Sequence, residues 1–154
     1  MADPTIAAAR DILGDALEEL RTPLEGCSAE ELNQPPTPDA NGLAVLATHA
    51  LGSTRSWLSL AVGAPPPERD RDAEFLVVVQ DPAAFLATFD RAAAECRALL
   101  DTDEPFESSL PVQAMWGTYL GAEPVTAAWA LLHAMEHLRE HVGHAQLTRQ
   151  LQTA

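Results

Sequence analysis

The chain has 154 residues, 47% of them hydrophobic, enough for one domain over 1–154 to bury a core without staples. Its formal net charge is −14, and its nine basic residues are all arginine and unclustered, which argues against nucleic acid or an anionic membrane as a partner, since both are held by grouped cations. No run approaches the roughly 20 apolar residues that span a bilayer, and the opening MADPTIAAARD lacks the basic and apolar regions of a secretory signal, so the expected location is cytoplasmic.

Twelve prolines leave four long proline-free stretches, 5–22, 39–64, 83–104 and 125–154. A helix interior excludes proline but its first position tolerates it, so these stretches predict four helices. Asp3-Pro4 opens the first with a capping acid before a proline, and Ile6, Ala9, Leu13, Leu17, Leu20 and Leu24 form its apolar stripe. Ser28 and Glu31 carry the spacing of a capping box for a short extra helix. The second helix is expected to start at Asn41, with Leu43, Leu46, Ala47, Ala50, Thr54, Trp57 and Ala61 on one face.

Phe75 to Gln80 has strand composition without an obvious partner, and reads as an extended lead-in to the third helix. That helix opens with Asp81-Pro82 and repeats Phe85, Phe89, Ala92, Cys96 and Leu99 at spacings of four and three, the seam of a helix packed nearly parallel to its neighbours. Residues 105–121 read as loop. Glu123-Pro124 is the expected start of the fourth helix. Four amphipathic helices with short helical or extended connections predict an all-α four-helix bundle; an outer helical face leaves room for a homodimer. Cys27 and Cys96 read as small buried hydrophobes.

Four of the five histidines fall in the last stretch, at 133, 137, 141 and 144. At ~100° per residue from Val125 they lie between ~80° and ~160°, beside an apolar arc from ~180° to ~340° made by Ala134, Ala145, Leu138, Leu131, Val142, Met135 and Leu132. Imidazoles at i and i+4 can converge on one ion, and both His133/His137 and His137/His141 meet that spacing. Three in a row cannot, so another ligand must come from elsewhere. His49, on the shoulder of the second helix's apolar face, is the candidate. Three protein ligands leave an open coordination position, as in catalytic rather than structural sites.

Two other readings compete for these residues. A stripe interleaved with Glu136, Arg139 and Glu140 also suits a solvated face. His133-Ala-Met-Glu-His137 and His137-Leu-Arg-Glu-His141 both match the inverted zinc-peptidase pattern, yet no acid follows Glu140 to complete it. Ser53 and Ser56 lie near His49 without a third orienting group, so hydroxyl nucleophiles are not favoured. Trp57, Trp116 and Trp129 read as core or pocket wall.

The segments NGLAVLATHALGSTRSWL at 41–58 and MEHLREHVGHAQLTRQL at 135–151 resemble the DinB/YfiT-like superfamily of metal-binding four-helix bundles. The likeness is greatest to its branch of mycothiol-dependent enzymes, maleylpyruvate isomerase-like and thiol S-transferase-like. The resemblance implies that His49, His137 and His141 hold one divalent ion, zinc or nickel being the expected metals, and leaves His133 and His144 as extras. It further implies a transferase that binds a low-molecular-weight thiol such as mycothiol to the metal as a thiolate and directs it at a small electrophile. A metal-dependent hydrolase would need the same three ligands, and a non-enzymatic bundle pinned by metal would need no more. Glu136 and Glu140 are read either as acids that orient the imidazoles from behind or, equally, as members of surface salt bridges.

Overall fold

The computed structural model describes residues 3–154, and its helices α1 (Pro4–Arg21), α3 (Leu43–Ala61), α5 (Pro82–Leu99) and α6 (Ala127–Thr153) are the four expected from the proline spacing. Short helices α2 (Ala29–Asn33) and α4 (Arg71–Glu74) lie in the connections, and a minimal antiparallel pair joins β1 (Pro111–Val112) to β2 (Val125–Thr126). The long helices pack as a ring, α1 on α6, α6 on α3, α3 on α5 and α5 back on α1, with the most extensive interface between α3 and α6. The result is an all-α four-helix bundle.

The apolar stripes face inward as their spacing requires. Ile6, Leu13, Leu17, Leu20 and Leu24 of the first stripe are fully buried, as are Leu43, Ala47, Ala50 and Trp57 of α3 and Phe89 and Cys96 of α5. On α6, Ala130, Leu131, Ala134, Leu138, Val142 and Ala145 meet them, whereas Leu132 at the edge of the apolar arc is exposed. No described helix is long and apolar enough to cross a membrane.

Two helix starts differ from expectation. The α3 N-cap is Gly42 and not Asn41, because α2 ends against it. A Cβ at position 42 would sit 2.6 Å from the Asn33 carbonyl oxygen, so only glycine permits that approach. The α6 N-cap is Thr126, whose hydroxyl accepts from the Trp129 amide, and not Glu123. Residues 125 and 126 are paired with β1, and the Ala127 and Ala128 amides donate to Leu110 O and Ser108 O, so the backbone is committed to strand pairing until that point. The pairing also corrects the reading of 105–121 as loop alone, as does a 3₁₀ turn at Gly117–Tyr119.

Other starts follow the sequence. Asp3 and Asp81 cap α1 and α5 with prolines at the first positions, and Ser28 with Glu31 forms the full capping box of α2. The segment from 75 to 80 forms no strand, as expected of a lead-in, but it has a partner. The Asn33 side-chain amide donates to Val79 O and accepts from Val79 N, both at 2.8 Å, reproducing one step of a ladder and fastening this segment to α2.

Candidate metal centre

His49 projects from the middle of α3 toward α6, where His137 and His141 stand on successive turns. Ring centroids are 5.2 Å apart for His49 and His137, 5.1 Å for His49 and His141, and 4.5 Å for His137 and His141. One nitrogen from each ring lies within 4.8 Å of the others. Two nitrogens held at ~2.1 Å by a tetrahedral ion are ~3.4 Å apart, so the rings need close by little more than an ångström. Nδ1 of His137 and Nδ1 of His141 are buried and meet no hydrogen-bond partner among the described residues. Buried polar atoms are rarely left so, and a cluster of imidazoles with two such unmatched nitrogens fits a cation well.

The protonation states suit that role. Burial, reinforced by the charges of His49, His133 and the nearby arginines, depresses His137 from 6.5 to about 4. Burial and then the neighbouring imidazoles depress His141 to about 3. Both rings are therefore neutral at pH 7 and can donate lone pairs.

His49 is held from behind. It is 7% exposed, and its Nδ1 lies 2.8 Å from Glu74 Oε2. Arg69 grips the same carboxylate with one edge of its guanidinium, Nε to Oε1 at 2.6 Å and a terminal nitrogen to Oε2 at 2.8 Å. Burial alone would raise the Glu74 pKa, but the bonds from His49 and Arg69 outweigh it and the net displacement is downward. An ionised Glu74 only accepts, so it holds a proton on His49 Nδ1 and turns Nε2 toward the other two rings as the nitrogen a metal would take. The acid stands at the end of α4, which Asp70 caps through the Ala73 amide.

Glu74, and not Glu136 or Glu140, is thus the acid behind a candidate ligand. Glu136 is exposed and approaches only His133 Nδ1, at 3.7 Å, and Glu140 is exposed. Sequence spacing gave no hint of Glu74, which lies 25 residues from His49 inside an Arg/Asp run that reads as solvated. The nearest signal was Gly52, an interior helix glycine one turn beyond His49. A Cβ there would collide with Glu74 Oε1, but Gly14 and Gly143, also inside helices, meet nothing within 4 Å, so a helical glycine alone did not single out the approach.

The remaining members of the stripe do not converge. His133 stacks on Trp129 at 4.7 Å, meets the Trp57 edge at 4.8 Å, and has its Nε2 3.4 Å from the Tyr119 hydroxyl. His144 is exposed, its centroid 5.6 Å from that of His141. Only the two histidines at the level of His49 meet it.

One side of the cluster opens into a cavity of about 210 Å³, reached by His49 and His137 and walled by Trp57, Trp116 and Tyr119. These rings meet edge to face, Trp57 with Trp116 at 5.3 Å and with Tyr119 at 4.8 Å, as aromatic quadrupoles prefer. Trp57 and Trp116 are the wall residues the sequence suggested. Ser53 is buried and lines this cavity, while Ser56 donates to its own helix at Gly52 O, 2.9 Å away. Cys27 and Cys96 are buried, and burial pushes the Cys96 thiol up to about 12.

The ring of four helices and three convergent imidazoles defines a DinB/YfiT-like bundle. Within that class the chain belongs to the family described as mycothiol-S-transferase, whose model matches residues 8–154. A crystal structure titled as the conserved protein of locus from Enterococcus faecalis shares the fold, with a TM-score of 0.74 and 20% identity over 97% of this chain and 98% of that one. No curated protein sequence matches the chain.

Proposed function

We propose that residues 1–154 form one domain that conjugates a low-molecular-weight thiol, mycothiol as the family name implies, to a small electrophile, using a divalent ion held by His49, His137 and His141. The observation that carries this reading is the imidazole cluster, braced through Glu74 and Arg69 and open on one side to the aromatic cavity. A divalent ion with a free position lowers the pKa of a bound thiol and so supplies a thiolate at neutral pH.

The chain's own residues set the conditions for that chemistry. His137 and His141, neutral at pH 7, offer lone pairs without first losing protons. Glu74 keeps the His49 proton on Nδ1, and Arg69 keeps Glu74 ionised and in place. Trp57, Trp116 and Tyr119 displace water from the space where the two substrates would meet. Cys27 and Cys96 are poor nucleophiles, being buried with raised pKa values, which accords with a thiol that arrives from outside.

The test is conjugation of chlorodinitrobenzene followed by its absorbance change, with and without mycothiol, before and after a chelator strips the protein. The proposal expects thiol-dependent turnover that stripping abolishes and a divalent ion restores. Product released by water without thiol would replace it with a metal-dependent hydrolase, and turnover indifferent to stripping would remove the metal from the account.

A further inference from the structure

The cavity beside the histidine cluster departs from the electrostatics of the rest of the molecule. The chain holds 23 acidic residues against nine arginines, yet no aspartate or glutamate lines this space, while two arginines and three histidines do. Arg69 is occupied, its charge matched by Glu74 through Nε and one terminal nitrogen. Arg71 is not, for it makes no ion pair with a carboxylate among the described residues and rests over the Phe75 ring with its guanidinium carbon 5.1 Å from the centroid. Phe75 in turn lies 4.7 Å from the His49 ring. A cation without a counter-ion is thereby poised, through one aromatic ring, beside the reacting end of the cavity. The π-surfaces of Trp57, Trp116 and Tyr119 line the same cavity.

On this basis we propose that the electrophile is a planar aromatic acid, its ring against the Trp57, Trp116 and Tyr119 wall and its anionic group on Arg71. The inference rests on the transferase reading for the electrophile's role, but the binding preference it states stands alone. A planar guanidinium suits a carboxylate or sulfonate through paired N–H donors. The volume, about 210 Å³, is below the roughly 300 to 1,000 Å³ of sites for drug-sized ligands and suits one substituted ring. For an aryl chloride, the thiolate sulfur bonds to the ring carbon, chloride departs with the pair of the C–Cl bond, and the thiol proton goes to solvent, so no oxidant or reductant is required.

The experiment compares 4-chloro-3,5-dinitrobenzoate with its carboxamide, which presents the same reacting carbon without the charge. Calorimetric titration of the metal-loaded protein without thiol measures binding, and conjugation in the presence of mycothiol gives the ratio of kcat/KM values, each divided by the rate of the same aryl chloride with free thiol, because the carboxamide activates the ring more than the carboxylate does. The acid should be favoured about tenfold in both, the usual scale of one charge-assisted contact. Arg71→Gln should bring both ratios near one. Arg71 is exposed, and its guanidinium rests on the Phe75 ring without an ion pair among the described residues, so its replacement leaves the buried core untouched. Arg91→Gln, which removes a charge from an exposed α5 residue outside the cavity, should leave the preference intact.

Equal or absent binding of acid and amide by the wild type, or a preference that survives Arg71→Gln, overturns the inference. Failure of conjugation alongside an Arg71-dependent binding preference would sink the transferase reading and leave this one standing. Thiol-dependent conjugation with no regard for charge would do the reverse.

Discussion

Replacing Glu74 by glutamine tests whether the acid behind His49 governs the metal. The substitution keeps the shape and removes the charge that Arg69 and His49 share. Both partners are nearly enclosed, the Arg69 side chain being 10% exposed and that of Glu74 8%. Leaving one ion of a buried pair unmatched costs about 3 to 5 kcal/mol; because the glutamine carbonyl can still accept one bond, a loss of about 2 to 3 kcal/mol is the expectation here. The effect on the metal is separate. Without the carboxylate the His49 proton is no longer fixed on Nδ1, and loss of such a partner lowers metal affinity about 10- to 100-fold. Competition for zinc against a chromophoric chelator measures this, with a thermal melt of the stripped protein alongside. Affinity equal to that of the wild type, in a variant that melts lower, would show that Glu74 is merely a structural ion pair and would refute the reasoning.

Gly52→Ala should act oppositely to helix propensity. Alanine favours a helix interior by about 1 kcal/mol over glycine, but the new Cβ meets Glu74 Oε1, so both melting temperature and zinc affinity should fall. The stripped protein should lose stability as pH drops from 6.5 toward 4, because the unfolded chain takes up protons at His137 and His141 that the folded one, with values of about 4 and 3, refuses. After allowance for solvent screening this amounts to about 2 kcal/mol by pH 5, read as a melting-temperature slope that a His137→Ala, His141→Ala double variant should lack. Thr126→Ala removes the hydroxyl that caps α6 and should cost about 1 kcal/mol in denaturant unfolding. Cys96, fully buried with its thiol pushed up to about 12, should resist a thiol-specific reagent in native buffer and react once the protein is unfolded.

The bundle was legible because its signals are local. Asp3-Pro4 and Asp81-Pro82 mark helix starts through one residue's side chain and the next one's ring, and the stripes on α1, α3 and α5 need only the helical period. Glu123-Pro124 carries the same signal and misleads, because pairing of Pro111 with Thr126 and of Val112 with Val125 holds the chain extended beyond it. Gly42 is a cap for a similarly remote reason, the carbonyl of Asn33 pressing on it.

The site divides along the same line. The i, i+4 spacing of His137 and His141 is visible in the chain, as is the placement of His49 on a face edge, and the structure brings the three together. Spacing could not choose between His133 and His141 as the partner of His137. That choice depends on the level at which α3 crosses α6, a tertiary property that the family resemblance carried. Glu74 and Arg69 were invisible to periodicity because they act from an irregular connection whose charges look solvated.

The central claim is that three imidazoles from two helices hold one divalent ion, and metal stoichiometry in single variants tests it most directly. Elemental mass spectrometry of protein purified without chelators should find close to one ion per chain in the wild type, in His133→Ala and in His144→Ala. His49→Ala, His137→Ala and His141→Ala should each lose most of it while retaining the helical circular dichroism of the bundle. Full occupancy in all three of those variants would contradict the assignment.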